Sequence, residues 1–164
     1  MATKTPFPEA GFLRRLEAFC EVAPTLVDPS LPPLLARHVS TTDGTEQWEP
    51  TEAGASLVHV LRAYDATLQA AFDTELVADE LRRYQRFARP GQPSASIIQL
   101  RQKQAVARLA SSRAKQALLQ AEVGFVRAAG INVPPRKGLE AFMLEWISRH
   151  VPKDLVAPET SQDA

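Results

Sequence analysis

Residues 82–115 read RRYQRFARPGQPSASIIQLRQKQAVARLASSRAK. Pro90, Gly91 and Pro93 in its middle punctuate the chain, because none of them continues a helix or strand at low cost. On both sides of this break, apolar residues recur at spacings of three and four. Upstream, Leu57, Leu61, Tyr64, Leu68, Ala71, Phe72, Leu76, Leu81, Tyr84 and Ala88 keep that rhythm without interruption. The pattern predicts one helix over 51–89, about 58 Å long at 1.5 Å per residue. Thr51 opens it, with Glu52 in the first turn. Downstream, Ser94 or Ser96 caps a second helix that runs to about Ala129. Gly130 supplies the left-handed stop, and Pro134 and Pro135 follow. Two long helices joined by so short a turn predict an antiparallel hairpin.

The second helix is unusual in composition. Leu100, Ala107, Ala110, Ala114, Leu118, Ala121 and Phe125 share one face, and so many alanines let a neighbouring helix approach closely. Roughly opposite are expected Arg101, Arg108 and Lys115, spaced by seven. Cations this close to a helix start lie against the macrodipole, so helix electrostatics do not account for them.

Charge separates along the chain. Residues 82–137 hold twelve bases and one acid, Glu122, whereas residues 1–80 hold five bases and thirteen acids. The formal net charge of zero therefore averages a polarised molecule. At the expected hairpin tip, Arg82, Arg83, Arg86, Arg89, Arg101 and Lys103 gather with no acid among them, together with Tyr84, Phe87 and several glutamines.

Elsewhere, Phe12, Leu13, Leu16, Phe19 and Cys20 mark a helix over 9–23, ended by Pro24. Pro29, Pro32 and Pro33 leave at most a short helix around Leu34–Val39. Ser40–Pro50 reads as a polar connector whose Trp48 covers one end of the bundle. Leu139, Phe142, Met143, Trp146 and Ile147 mark a last helix over 137–150, with Met143 and Trp146 in the core. The fold class expected is all-α: a bundle built on the long hairpin, with helices 9–23 and 137–150 packed along the alanine-rich seam. One domain is expected over 1–152, followed by a disordered polar tail over 153–164. No apolar run reaches the length of a membrane span or opens the chain as a leader, which predicts a cytoplasmic protein.

Catalytic chemistry finds no support in the residues. His38, His59 and His150 are far apart and form no metal-ligand spacing, and no Glu-x-x-His pair occurs. The seven glycines form no phosphate cradle. Cys20, flanked by apolar residues and without a neighbouring base, reads as a packing residue. No enzyme activity, metal or cofactor is expected.

The residues favour nucleic-acid binding, RNA or DNA, through backbone contacts from Arg82, Arg83, Arg86, Arg89, Arg101, Lys103, Arg108 and Lys115. Many cations along one surface, arginine above all, suit phosphate oxygens, and no base-reading motif is present. In size, helical layout and charge the chain resembles the small helical subunits of CRISPR effector complexes. That resemblance implies a sequence-independent role within a larger nucleoprotein assembly, beside other subunits. A second reading is a protein-interaction module, an adaptor, chaperone or assembly subunit, whose basic zone meets an acidic partner or a second copy. A third is a solvated bundle in which acids of helix 51–89 neutralise the Arg101, Arg108 and Lys115 row. Geometry separates the third from the others: neutralisation needs those acids against the row, whereas binding needs the row in water.

Overall fold

The computed structural model describes residues 2–89, 91 and 94–154. The elements run α1 (Ala10–Val22), β1 (Ala36–Ser40), β2 (Glu46–Pro50), α2 (Glu52–Phe87), α3 (Ala95–Ala129) and α4 (Leu139–His150). The protein is mostly helical, with one small two-stranded sheet. Among the described residues no helix is long and apolar enough to cross a membrane.

Both long helices start and stop where their chemistry directs. The Thr51 side chain accepts the Gly54 N–H at 3.0 Å, and Ser94 accepts the Ile97 N–H at 3.4 Å. Gly130 takes φ 64° and ψ 30°, and its N–H and that of Ile131 close the end of α3 on Arg127 and Val126. Helix α2 ends at Phe87 rather than at Arg89, since a residue preceding proline is driven out of helical backbone. The connection expected at Pro90–Pro93 lies, apart from Gly91, outside the described residues.

Contacts between α2 and α3 run in opposite order along the two helices. Leu57 and Leu61 share a core cluster with Leu118 and Phe125. The Thr74 hydroxyl, which donates to the Ala70 carbonyl, lies 3.5 Å from the Ala107 carbonyl. Leu81 is buried against Ile97 and Leu100.

Where the short helices sit differs from expectation. Phe12, Leu13 and Leu16 of α1 and Met143 and Ile147 of α4 join the cluster around Leu57, Leu61 and Phe125. They do not extend along the whole alanine-rich seam, which instead faces α2. From residue 62 to 80 on α2 and from 101 to 117 on α3, no residue is fully buried. The molecule is thus a packed base from which the far halves of two helices project as an arm. The reason is reach: helices of 13 and 12 residues are about 20 Å long and cannot cover partners of 36 and 35.

The all-α expectation is corrected by the sheet. Ala36–Ser40 and Glu46–Pro50 pair antiparallel, His38 opposite Trp48 and Arg37 opposite Glu49. Thr41–Thr45 makes the turn, with Gly44 at φ 76° and two backbone bonds of 2.9 Å closing it. Each strand is five residues long, too short for alternation to be told from a loop. Trp48 is therefore a strand residue. Its backbone also pairs with Thr25, and its ring meets His38 at 4.9 Å.

Lys153 and Asp154, assigned by sequence to the tail, belong to the base. The Asp154 carboxylate accepts the Gly11 N–H at 3.0 and 3.1 Å at the start of α1. Residues 155–164, the rest of the expected tail, lie outside the described residues.

Two helical glycines have opposite roles. A Cβ on Gly54 would collide with the Leu35 carbonyl, whereas one on Gly124 would meet nothing within 4 Å. Gly54→Ala is expected to destabilise the fold by about 1–3 kcal/mol. Gly124→Ala is expected to stabilise it by about 0.5–1 kcal/mol. Urea unfolding of the two variants checks both signs.

Candidate nucleic-acid interface

Arg82, Arg83, Arg86 and Arg89 lie on the last turns of α2 and just beyond, and Arg101 and Lys103 on the early turns of α3. The small cluster of Leu81, Ile97 and Leu100 brings these two groups to the same end of the arm. Arg108 and Lys115 continue from Arg101 toward the base, the three spanning about 21 Å at 1.5 Å per residue. All eight side chains are exposed. Arg82 donates to Asp79 at 2.8 Å. Among the described residues, the other seven have no carboxylate within ion-pair distance.

The acids of α2 do not bond to the Arg101, Arg108 and Lys115 row. Asp73 instead accepts from Gln69 at 2.8 Å, and Arg62 at the base pairs with Glu17 of α1. Direct neutralisation of the row within the chain is therefore absent among the described residues. From Ala95 to Ala121 α3 carries no acid at all, so nothing on the helix itself offsets the repulsion along the row.

One detail of placement is corrected. At 3.6 residues per turn, Leu100, Leu118 and Phe125 face α2, and the row borders that seam instead of lying opposite it. Lys115 shows this directly: with Thr67, Glu122 and Glu140 it lines a cavity of about 350 Å³ beside the α2–α3 contact. Two carboxylates so near make Lys115 the weakest of the eight as a phosphate contact. Lys103 falls on the other flank of the seam, where it lines a groove of about 540 Å³. Ala70, Val77, Val106, Ala107 and Ala110 give that groove its apolar lining, and Asp73, Gln99 and Gln102 share its polar part with Lys103.

Aromatic side chains stand among the arginines. Phe87 is 88% exposed and Tyr84 53% exposed, and neither has a ring partner among the described residues. By contrast, the rings at the base are engaged: Trp146 meets Phe125 edge-on at 4.8 Å and stacks on His150 at 4.5 Å.

The base holds a feature that sequence reasoning missed. Glu122 is only 3% exposed, and burial, with Glu140 nearby, pushes its carboxyl up to about 7. Burial also raises Glu9, whose Oε2 has no hydrogen-bond partner among the described residues. Tyr64 is raised by burial and by Glu9, Glu140 and Glu122. The signal was available, since Glu122 is four residues from Leu118 and three from Phe125 and so falls on the buried face. These acids form no metal site: among the described residues no group of three or more His, Cys, Asp or Glu could hold an ion. Cys20 is half-buried, with its thiol raised by burial and by Glu17 and Glu21, which suits packing and not nucleophilic attack. His59 is exposed.

Comparison with protein-family models, with curated proteins and with solved structures returns no match. The functional reading therefore stands on the chain's own residues.

The pH dependence of Glu122 has a definite sign. Its folded pKa lies above the ordinary 4.5, so the fold holds this proton more tightly than the unfolded chain does. The stabilising effect is complete below the ordinary value and is lost as pH rises toward about 7. Glu122→Gln keeps the neutral amide at every pH. It is expected to be more stable than wild type by about 1–3 kcal/mol at about pH 8 and to match it near pH 5. Paired thermal melts across that range check the convergence.

Proposed function

We propose that this protein is a non-catalytic, sequence-independent nucleic-acid-binding subunit of a larger nucleoprotein complex in the cytoplasm. In this reading α2 and α3 form an antiparallel hairpin, and its projecting arm lies along a phosphate backbone. The observation that carries the proposal is the set of exposed cations, all but Arg82 without a carboxylate partner among the described residues, on a part of the molecule that its own core does not cover. Leaving so many like charges side by side costs energy unless a polyanion neutralises them, and phosphates spaced along a strand do so with release of counterions. Six of the eight, Arg82, Arg83, Arg86, Arg89, Arg101 and Arg108, are arginines and two, Lys103 and Lys115, are lysines, which suits forked contacts with phosphate oxygens. Rigid helices without a base-reading motif favour contact with backbone over sequence.

Protein interaction is the second reading, and one observation favours it. Ile98, Leu109 and Val123 on α3 are exposed apolar side chains away from α2. A helix of a partner subunit laid there would cover them and leave the cations on the flank free. The two readings are compatible in an assembly subunit.

The variant Arg101→Glu/Arg108→Glu separates them. Both positions are exposed and bonded to nothing else in the described residues, so the melting temperature is expected to stay nearly constant. Affinity for an oligonucleotide is expected to fall at least about tenfold at a stated salt concentration, and the slope of log K against log salt should flatten by about two. Fluorescence anisotropy over a salt series measures both. If wild-type protein binds no nucleic acid at low salt, nucleic-acid binding is wrong and the interaction module takes its place.

A further inference from the structure

We infer that the ligand of the arm is single-stranded nucleic acid, held with unpaired bases against Tyr84 and Phe87 while nearby arginines take the phosphates. This rests on the nucleic-acid reading above and narrows its ligand class. Phosphate contact alone needs cations and asks for no aromatic ring. Yet Phe87 leaves 88% of its surface in water at the most basic end of the molecule. Tyr84 lies three residues earlier, one turn away on the same side, and Arg83 lies four before Phe87. Two rings and a guanidinium thus form one continuous exposed face.

That face continues along α2. Ala70, Asp73, Val77, Glu80, Tyr84 and Phe87 follow one another at spacings of three and four, and the first three line the groove against Gln99, Gln102 and Lys103 of α3. The two carboxylates in this row determine which side of a strand can meet it. Asp73 and Glu80 would repel phosphates, so the row suits the flat apolar faces of bases. The charged backbone is turned toward Arg83 and Arg86 at the tip and Lys103 across the groove. Gln99 and Gln102 offer amide donors and acceptors to base edges.

A duplex does not fit this arrangement. Its bases are already stacked on one another, and an aromatic side chain reaches a base face only by prising a step apart. A single strand presents those faces freely, and every base has one, so stacking adds affinity without adding sequence preference. Charge complementarity also favours this occupant over a second copy of the arm, which would bring arginines against arginines.

The test uses fluorescence anisotropy with the full chain and labelled probes of about 20 nucleotides: oligothymidylate, oligouridylate, a duplex of the same length and an abasic strand. Wild-type protein is expected to bind the better of the two base-bearing single strands at least about tenfold tighter than the abasic strand or the duplex. Tyr84→Ala/Phe87→Ala should lose about tenfold or more on that strand while keeping its affinity for the abasic strand, its salt slope and its melting temperature. Tyr84→Phe should bind as wild type, because the ring remains. The loss must appear on whichever of the thymidylate and uridylate probes binds tighter. Equal affinity for duplex and single strand, or an alanine variant that binds as wild type, overturns the inference and leaves phosphate binding by the arm intact. No salt-dependent binding of any probe overturns both.

Discussion

Everything else in the molecule depends on the packing of α2 against α3. The two helices meet along opposite directions, and the quality of that contact changes along its length. At the base, fourteen buried side chains from α1, α2, α3, α4 and the segments beside them form one cluster. At the far end, among the described residues, only Leu81, Ile97 and Leu100 are buried. Each fully buried aliphatic side chain contributes about 1.5–3 kcal/mol, so the base holds the fold and the tip is held by little more than one contact triad. Between them the contact relies on small side chains, Ala70, Ala107 and Ala114, whose merit is close approach and not buried area. Opening of the tip therefore costs less than opening of the base, and the tip is where the surface cations and rings are concentrated.

That gradient explains why charge could accumulate where it did. A cation buried near an apolar core needs a partner, and several at the base are paired: Lys137 and Arg149 both with Glu145, and Arg62 with Glu17. On the arm, water reaches both helices, so an unpaired arginine carries no burial cost, only repulsion from its neighbours. Beyond Leu81 the described part of the tip has bases and no acids, and the nearest carboxylates on α2 are Asp79 and Glu80. At the base, Glu9, Glu122 and Glu140 act on Tyr64, and burial raises Glu9 and Glu122. Two separate electrostatic problems result. One is an exposed surface of like charges, and the other is a buried carboxyl whose proton the fold retains.

By itself, the sequence determined the four helices, the cap and stop of α3 and the cationic segment. Period-3.6 patterning over 35 residues is a strong signal, and Thr51, Ser94 and Gly130 act through bonds to residues within four positions, so local chemistry settles them. Its failures were non-local. The strands 36–40 and 46–50 exist because His38 finds Trp48 and because Thr25 pairs with Trp48 from the other side, contacts no window of five residues contains. Asp154 becomes structural by reaching Gly11, at the opposite end of the described chain. Only the tertiary structure decided that the short helices stop at the base, which turns a bundle into a base with an arm. It also decided that the cationic row borders the seam in water, that Phe87 is left bare and that Glu122 is shut in. The physical reason is the same in each case. Burial and exposure are properties of which surfaces meet, and periodicity says which side of a helix is apolar without saying how far along it a partner extends.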